Sequence, residues 1–166
     1  MTGDMKQDIL FKTDSLIFSY RVGGILIHDG SILLQKPAND GYAVIGGHVC
    51  GMETGDEALK REFMEELHVK IEIRKLTAVS EIFFPWGEKP CHQICLYYDI
   101  GLISQDIPYE GAFHGFDESG GERTDLDFIW VPLKDLENVT AFYPAELIPY
   151  LTEPHDGIVH FVSRQS

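Results

Sequence analysis

The segment Gly46–Val69, GGHVCGMETGDEALKREFMEELHV, is where the apolar periodicity of the chain changes. Within it Leu59, Phe63 and Leu67 recur every four residues, and Thr54 stands three residues before Glu57 at capping-box spacing. The pattern predicts a helix of about 13 residues. At 100° per residue, Glu62, Glu65 and Glu66 fall within an arc of about 100° beside the apolar stripe. Each like-charge pair at this spacing costs roughly 0.2–0.5 kcal/mol, and carboxylates near the helix C-terminus also oppose its dipole. A solvated acidic face is the plain reading of such a cluster. A divalent cation would instead turn the repulsion into coordination, and hard oxygen donors suit Mg²⁺, with Mn²⁺ as a substitute.

Outward from this helix the sequence reads as sheet. SLIFSYRVGGILI and SILLQK flank His28-Asp29-Gly30, whose Asp-Gly pair signals a hairpin. Downstream, KIEIRKLTAVSEIFF and CHQICLYYDIGLI are rich in β-branched and aromatic residues and enclose the turn-like PWGEKP, predicting a long antiparallel pair. Residues 104–124, SQDIPYEGAFHGFDESGGERT, break the pattern and predict a long loop. With Tyr109, Phe113 and Phe116 interleaved among its glycines, that loop is expected to close over a ligand. DLDFIWVPL predicts a further strand, KDLEN and YPAELIPYL short helices, and GIVHFVS an end strand.

The exact spacing carries more than the acids alone. Gly47, five free positions, Glu53, seven free positions, Arg61-Glu62-Phe63, one free, Glu65-Glu66, one free, His68-Val69 closely resembles the Nudix box, the signature of the Nudix hydrolase family. Six identities near 6% average usage each make a chance match on the order of one in a hundred thousand. The resemblance extends more loosely over the preceding strands and WVPL, so it implies one Nudix domain over residues 1–166. The implied fold is α+β, a mixed β-sheet sandwiched between α-helices (α/β/α). Two positions depart from the family pattern. His68 stands where the family has Gly, which predicts a positive φ there, a region His enters more readily than most residues. Ile45 replaces the Pro that often precedes the two glycines.

The resemblance implies that Glu62 and Glu66 are the principal metal ligands, with Glu65 and the carbonyl of Gly46 completing the set. It also implies that Arg61 and Glu53 pair to hold loop and helix together, and that water attacks a diphosphate linkage with Mg²⁺ bound. The general base is left among Glu65, Asp127 (three residues before Trp130 of WVPL), Glu118 and Glu122. Pro85, sixteen positions beyond the box, resembles a pattern linked to ADP-ribose and similar nucleoside diphosphate sugars. Phe84, Trp86, Tyr42 and Tyr109 are candidates for stacking on a base. The expected activity is therefore a Mg-dependent pyrophosphohydrolase acting on a nucleoside diphosphate linked to another moiety. The alternative is a Nudix-type module that senses a nucleotide without turnover; such modules typically lose box acids, and every one is present here.

Composition bounds these readings. A chain of 166 residues suits one domain. Its net charge of −14 disfavours long nucleic acids, which bind through many Lys and Arg contacts, and points to a small nucleotide reached through a cation. Three cysteines without a secretory signal argue against a disulfide framework. Cys91 and Cys95 of CHQIC would lie ~13 Å apart along a strand, too far to share one zinc with ~2.3 Å bonds. No apolar run approaches the ~18 residues of a membrane span, and the sequence reads as cytoplasmic. Assembly into a homodimer is left open.

Overall fold

The computed structural model describes residues 6–37, 41–104, 107–117, 124–139 and 141–166. The chain runs β1 (Leu10–Lys12), β2 (Ile17–Ile25), β3 (Ile27–His28), β4 (Ser31–Pro37), β5 (Ala43–His48), α1 (Gly55–Leu67), β6 (Ile71–Trp86) and β7 (Lys89–Leu102). Then follow β8 (Ala112–Asp117), β9 (Thr124–Pro132), 3-10 turns at Leu133–Asn138 and Ala145–Leu147, α2 (Ile148–Thr152) and β10 (Val159–Arg164). The strands join in the order β10-β6-β7-β2-β5-β4-β9-β8, with β1 added beside β2 and β3 beside β4. The sheet is mixed: β10 runs parallel to β6 and β2 parallel to β7, and the other pairs are antiparallel.

Local chemistry fixes the elements as the sequence suggests. The β3–β4 turn places Asp29 at φ 48° and Gly30 at φ 76°, the two left-handed residues a tight hairpin needs. Helix α1 opens on Thr54, whose side chain accepts from the Glu57 amide. It closes on His68 at φ 56°, ψ 35°, with the His68 amide bonded to the Met64 carbonyl.

Each face of the sheet carries its own core. Leu59, Phe63 and Leu67 of α1 pack on Val22, Leu33, Ile45, Leu126, Phe128 and Trp130. On the opposite face Leu136, Leu147 and Leu151 of the C-terminal turns and α2 cover Ile32, Leu34, Val44, Tyr97 and Val131. The result is the expected α/β/α layering. Close approach of α1 depends on Gly24, where a Cβ would lie 2.8 Å from the fully buried Phe63 ring.

Residues 104–124 correct the expectation of a single loop. Ala112–Asp117 form β8, paired antiparallel with β9 from Ala112↔Ile129 to Asp117↔Thr124. Gly115, which reads as a breaker, sits where a Cβ would lie 2.6 Å from the Phe128 ring and 3.2 Å from the Glu66 carbonyl. Its small size lets the strand pass the end of α1. Two of the aromatics expected to swing over a ligand, Tyr109 and Phe113, are packed instead. Tyr109 stacks on His28 at 4.1 Å, Phe113 on Phe128 at 5.5 Å, and Trp130 Nε1 donates to the Pro108 carbonyl at 2.8 Å.

Candidate active site

Arg61 organises the polar face of α1. Its Nε and Nη2 form a bidentate fork with Glu53 (2.8 and 2.9 Å), and Nη2 also donates to the His48 carbonyl at 3.0 Å. Nη1 reaches Glu62 at 2.9 Å and Glu65 at 3.3 Å. One guanidinium thus ties the β5 end, the loop before α1 and the helix together. The fork holds the Glu53 carboxyl down at about 2 despite its burial, and Lys6 adds a second cation to the same oxygen at 2.8 Å.

Glu62 is in the opposite situation. It is 8% exposed, and burial pushes its carboxyl up to about 7 against the pull of Arg61. The carboxylate lies against the backbone of Gly47, where a Cβ would meet the Glu62 carboxyl carbon at 2.4 Å. Glu66, 7% exposed, is buried beside it on the helix, and Glu65 faces solvent more openly. These three acids line a cleft of about 490 Å³ together with Gly46, Gly47 and Arg61. Lys6, Asp8, Arg21, Gln35 and His48 also line it. Burial lowers His48 to about 4, helped by Arg21 and opposed by Asp8.

The donor set fits a hard divalent cation, since three carboxylates of one helix and the backbone of Gly46 line the same cleft. The ligands are not drawn together, however. Among the described residues no group of three or more His, Cys, Asp and Glu side chains closes to metal-holding distance. One Arg61 nitrogen, Nη1, bridges Glu62 and Glu65.

Other expected site residues lie elsewhere. Leu126 and Phe128 turn toward α1, so strand alternation puts Asp127 on the opposite face. Its carboxylate is 67% exposed and pairs with His114 Nδ1 at 2.7 Å, away from the acidic cleft. Glu118 and Glu122 fall outside the described residues. Tyr42 packs against the second core with Lys36 over its ring, and Tyr109 belongs to the α1-side core. Phe84 and Pro85 line a separate groove of about 520 Å³ at the tip of the β6–β7 hairpin. Trp86 alone of this set adjoins the cleft, its ring 6.4 Å from that of His48 and 29° from parallel. The two strand cysteines, Cys91 and Cys95, are buried and unbridged.

No sequence motif marks Lys6, Asp8, Gln35 or His48 as cleft residues. Arg21 carries a signal in hindsight. It is the lone charge in the apolar strand β2, and antiparallel register sets it across from His48, immediately after the two glycines. Among the described residues it makes no hydrogen bond or ion pair, although it lines a cleft rich in acids.

Comparison with known proteins agrees with this architecture. The sequence model of the NUDIX domain matches residues 18–151. The chain belongs to the Nudix hydrolase family. A search of curated proteins by sequence gave no match. Among solved structures, it is similar to a NUDIX hydrolase from Nitrosomonas europaea at 21% identity, covering 89% of this chain and 78% of that one, TM-score 0.59. It is also similar to an ADP-ribose pyrophosphatase from Streptococcus suis 89-1591 at 12% identity, 86% and 98% coverage and TM-score 0.58. A MutT protein from Methanosarcina mazei Go1 matches at 18% identity, 84% and 94% coverage and TM-score 0.59. At these identities the likeness is one of fold. No described helix is long and apolar enough to cross a membrane.

Proposed function

We propose that this chain is a Mg²⁺-dependent pyrophosphohydrolase that cleaves the diphosphate linkage of a nucleoside diphosphate joined to a further group. The carrying observation is the cleft itself. Buried Glu62 and Glu66 and the more open Glu65 face it from one helix, with Arg61, locked to Glu53, among them. Glu62, Glu65, Glu66 and the carbonyl of Gly46 would hold the cation, with Mn²⁺ as a substitute. Bound there, a divalent cation supplies charge neutralisation and Lewis acidity at the phosphoryl oxygens.

The chain's own residues do the rest. Arg21, which lines the same cleft, offers donors to phosphate oxygens that the acidic helix would repel. Glu65 accepts a proton from the attacking water, whose oxygen bonds to phosphorus as the bridging P–O bond breaks and two phosphate monoesters separate. It lines the cleft and retains access to solvent. The Arg61–Glu53 fork holds the helix against the β5 end so that these groups keep their places.

The test is a panel of ADP-ribose, ADP-glucose, dinucleotides and nucleoside triphosphates, incubated with Mg²⁺ or with a chelator and read by product mass. Turnover that requires the cation supports the proposal. Tight binding without turnover would make the chain a nucleotide sensor, and activity independent of divalent ions would refute the metal role.

A further inference from the structure

The cleft lining places two hydrogen-bond acceptors, on Asp8 and His48, face to face. His48 ends β5, and its Nε2 lies 3.0 Å from Ser19 Oγ. That hydroxyl donates to Gln93 Oε1 at 3.1 Å. Serine has one proton to give, so the imidazole must be the donor toward Ser19, which leaves the Nδ1 lone pair as the acceptor of the ring. Nδ1 faces Asp8 Oδ2 at 3.8 Å, beyond hydrogen-bond reach. Asp8 is itself an acceptor, and its other oxygen takes the Cys50 thiol at 3.5 Å.

This geometry is held from below by the backbone. Residues 7–9 run beside the loop leading to α1, with Gly51 N donating to Gln7 O at 2.8 Å and Ile9 N to Val49 O at 2.8 Å. Asp8 therefore stands at a fixed place with a 52% exposed carboxylate, and both it and His48 line the cleft.

The pair lacks donors, and the surroundings select which kind. A phosphate is repelled by Asp8. A cationic amine would sit beside the Arg21 guanidinium, which lines the same cleft. A neutral group with two adjacent O–H donors meets neither objection. The indole of Trp86, with Lys12 over its ring, packs beside His48 and backs the imidazole.

We propose that Asp8 and His48 form a hydroxyl-reading subsite that binds the vicinal diol of a sugar attached to the substrate diphosphate. The inference rests on reading the acidic cleft as the diphosphate site. It makes Asp8 and His48 specificity residues for a ribosyl or glycosyl diphosphate rather than for a bare polyphosphate.

The experiment uses whichever of ADP-ribose, ADP-glucose or ATP is turned over fastest, with analogues that lack both vicinal hydroxyls on one sugar at a time. With the wild-type enzyme, one analogue should lose ten- to a hundredfold in kcat/KM, carried mainly by KM, because a site built to bond hydroxyls leaves its acceptors unpaired when they are missing. In Asp8→Ala the ratio between parent and that analogue should collapse toward one. Asp8→Asn, which keeps the shape and one acceptor, should give an intermediate ratio and guards against misreading a folding defect. Equal losses on parent and analogue in both variants, or a wild-type enzyme indifferent to the diol while it turns over the parent, would overturn the subsite and leave the hydrolase reading standing. No Mg²⁺-dependent turnover of any panel member would overturn both.

Discussion

Replacing Glu62 with glutamine separates the stability of the acidic helix from its chemistry. The side chain keeps its shape and the oxygen that accepts from Arg61, but loses the charge that burial disfavours. Folding raises the Glu62 carboxyl from its ordinary 4.5 to about 7. A group raised in the fold contributes stability in full below its unfolded value and loses it as pH rises through the folded one. The window here runs from about pH 4.5 to 7. At roughly 1.4 kcal/mol for each pH unit between the two values, wild type should forfeit about 3 kcal/mol by pH 8 relative to Glu62→Gln, and almost nothing at pH 4.5. For a chain of this length that is ~6–12 °C in Tm. Glu53 moves the other way, its stabilisation being lost only as pH falls from 4.5 toward about 2, below the window. His48, lowered to about 4, destabilises the fold as pH drops below 6.5, but equally in both proteins, so it cancels in the difference. Thermal unfolding in chelator at pH 4.5 and pH 8 checks the sign. Adding Mg²⁺ at pH 8 should narrow the gap by stabilising wild type alone. A difference in Tm that is the same at both pH values, or larger at pH 4.5, would refute the argument.

Three further outcomes are expected. Glu66→Gln should lower Mg²⁺-supported turnover roughly a hundredfold or more, since charge neutralisation is worth several kcal/mol in the transition state, while its chelator-treated Tm stays at or above wild type; full turnover would remove Glu66 from the metal set. Arg21→Gln should raise KM for a diphosphate substrate roughly ten- to a hundredfold with kcat within threefold, because a charge-assisted bond to phosphate is worth about 1.5–3 kcal/mol; an unchanged KM would show that Arg21 does not touch substrate. His68→Gly should stabilise the fold by about 1 kcal/mol, the cost of a left-handed non-glycine residue at φ 56°; a lower Tm would mean that contacts of the imidazole outweigh that cost.

The features legible in the sequence are those whose physics is local. The helix, its Thr54 cap, its left-handed end at His68 and its acidic face all follow from spacings of three and four residues within Thr54–His68. The Asp29-Gly30 turn follows from two adjacent residues, and the long β6–β7 pair from uninterrupted β-branched and aromatic runs. Strand β8 was hidden because its Gly115 answers to packing against Phe128 and the end of α1, partners far away in the chain. Burial and turn-making call for the same residue type, and only the fold tells them apart.

The rest of the cleft lining was hidden for a related reason. Lys6, Asp8, Arg21, Gln35 and His48 come from four separate segments and meet only once β2, β4 and β5 are in register. In a strand, moreover, one residue of displacement changes the face. Leu126 lines the cleft, whereas Asp127, the acid expected to serve it, points to the other side of the sheet. Counted along β2, Val22 lies under α1 and Arg21 on the other face with Ser19 and His48, so the cleft draws side chains of both parities. An acidic helix can announce a cation from sequence because its ligands are neighbours on one turn. What sits opposite the cation, and so what the enzyme selects, is settled by strand pairing, which is why the sequence points to the chemistry more directly than to the substrate.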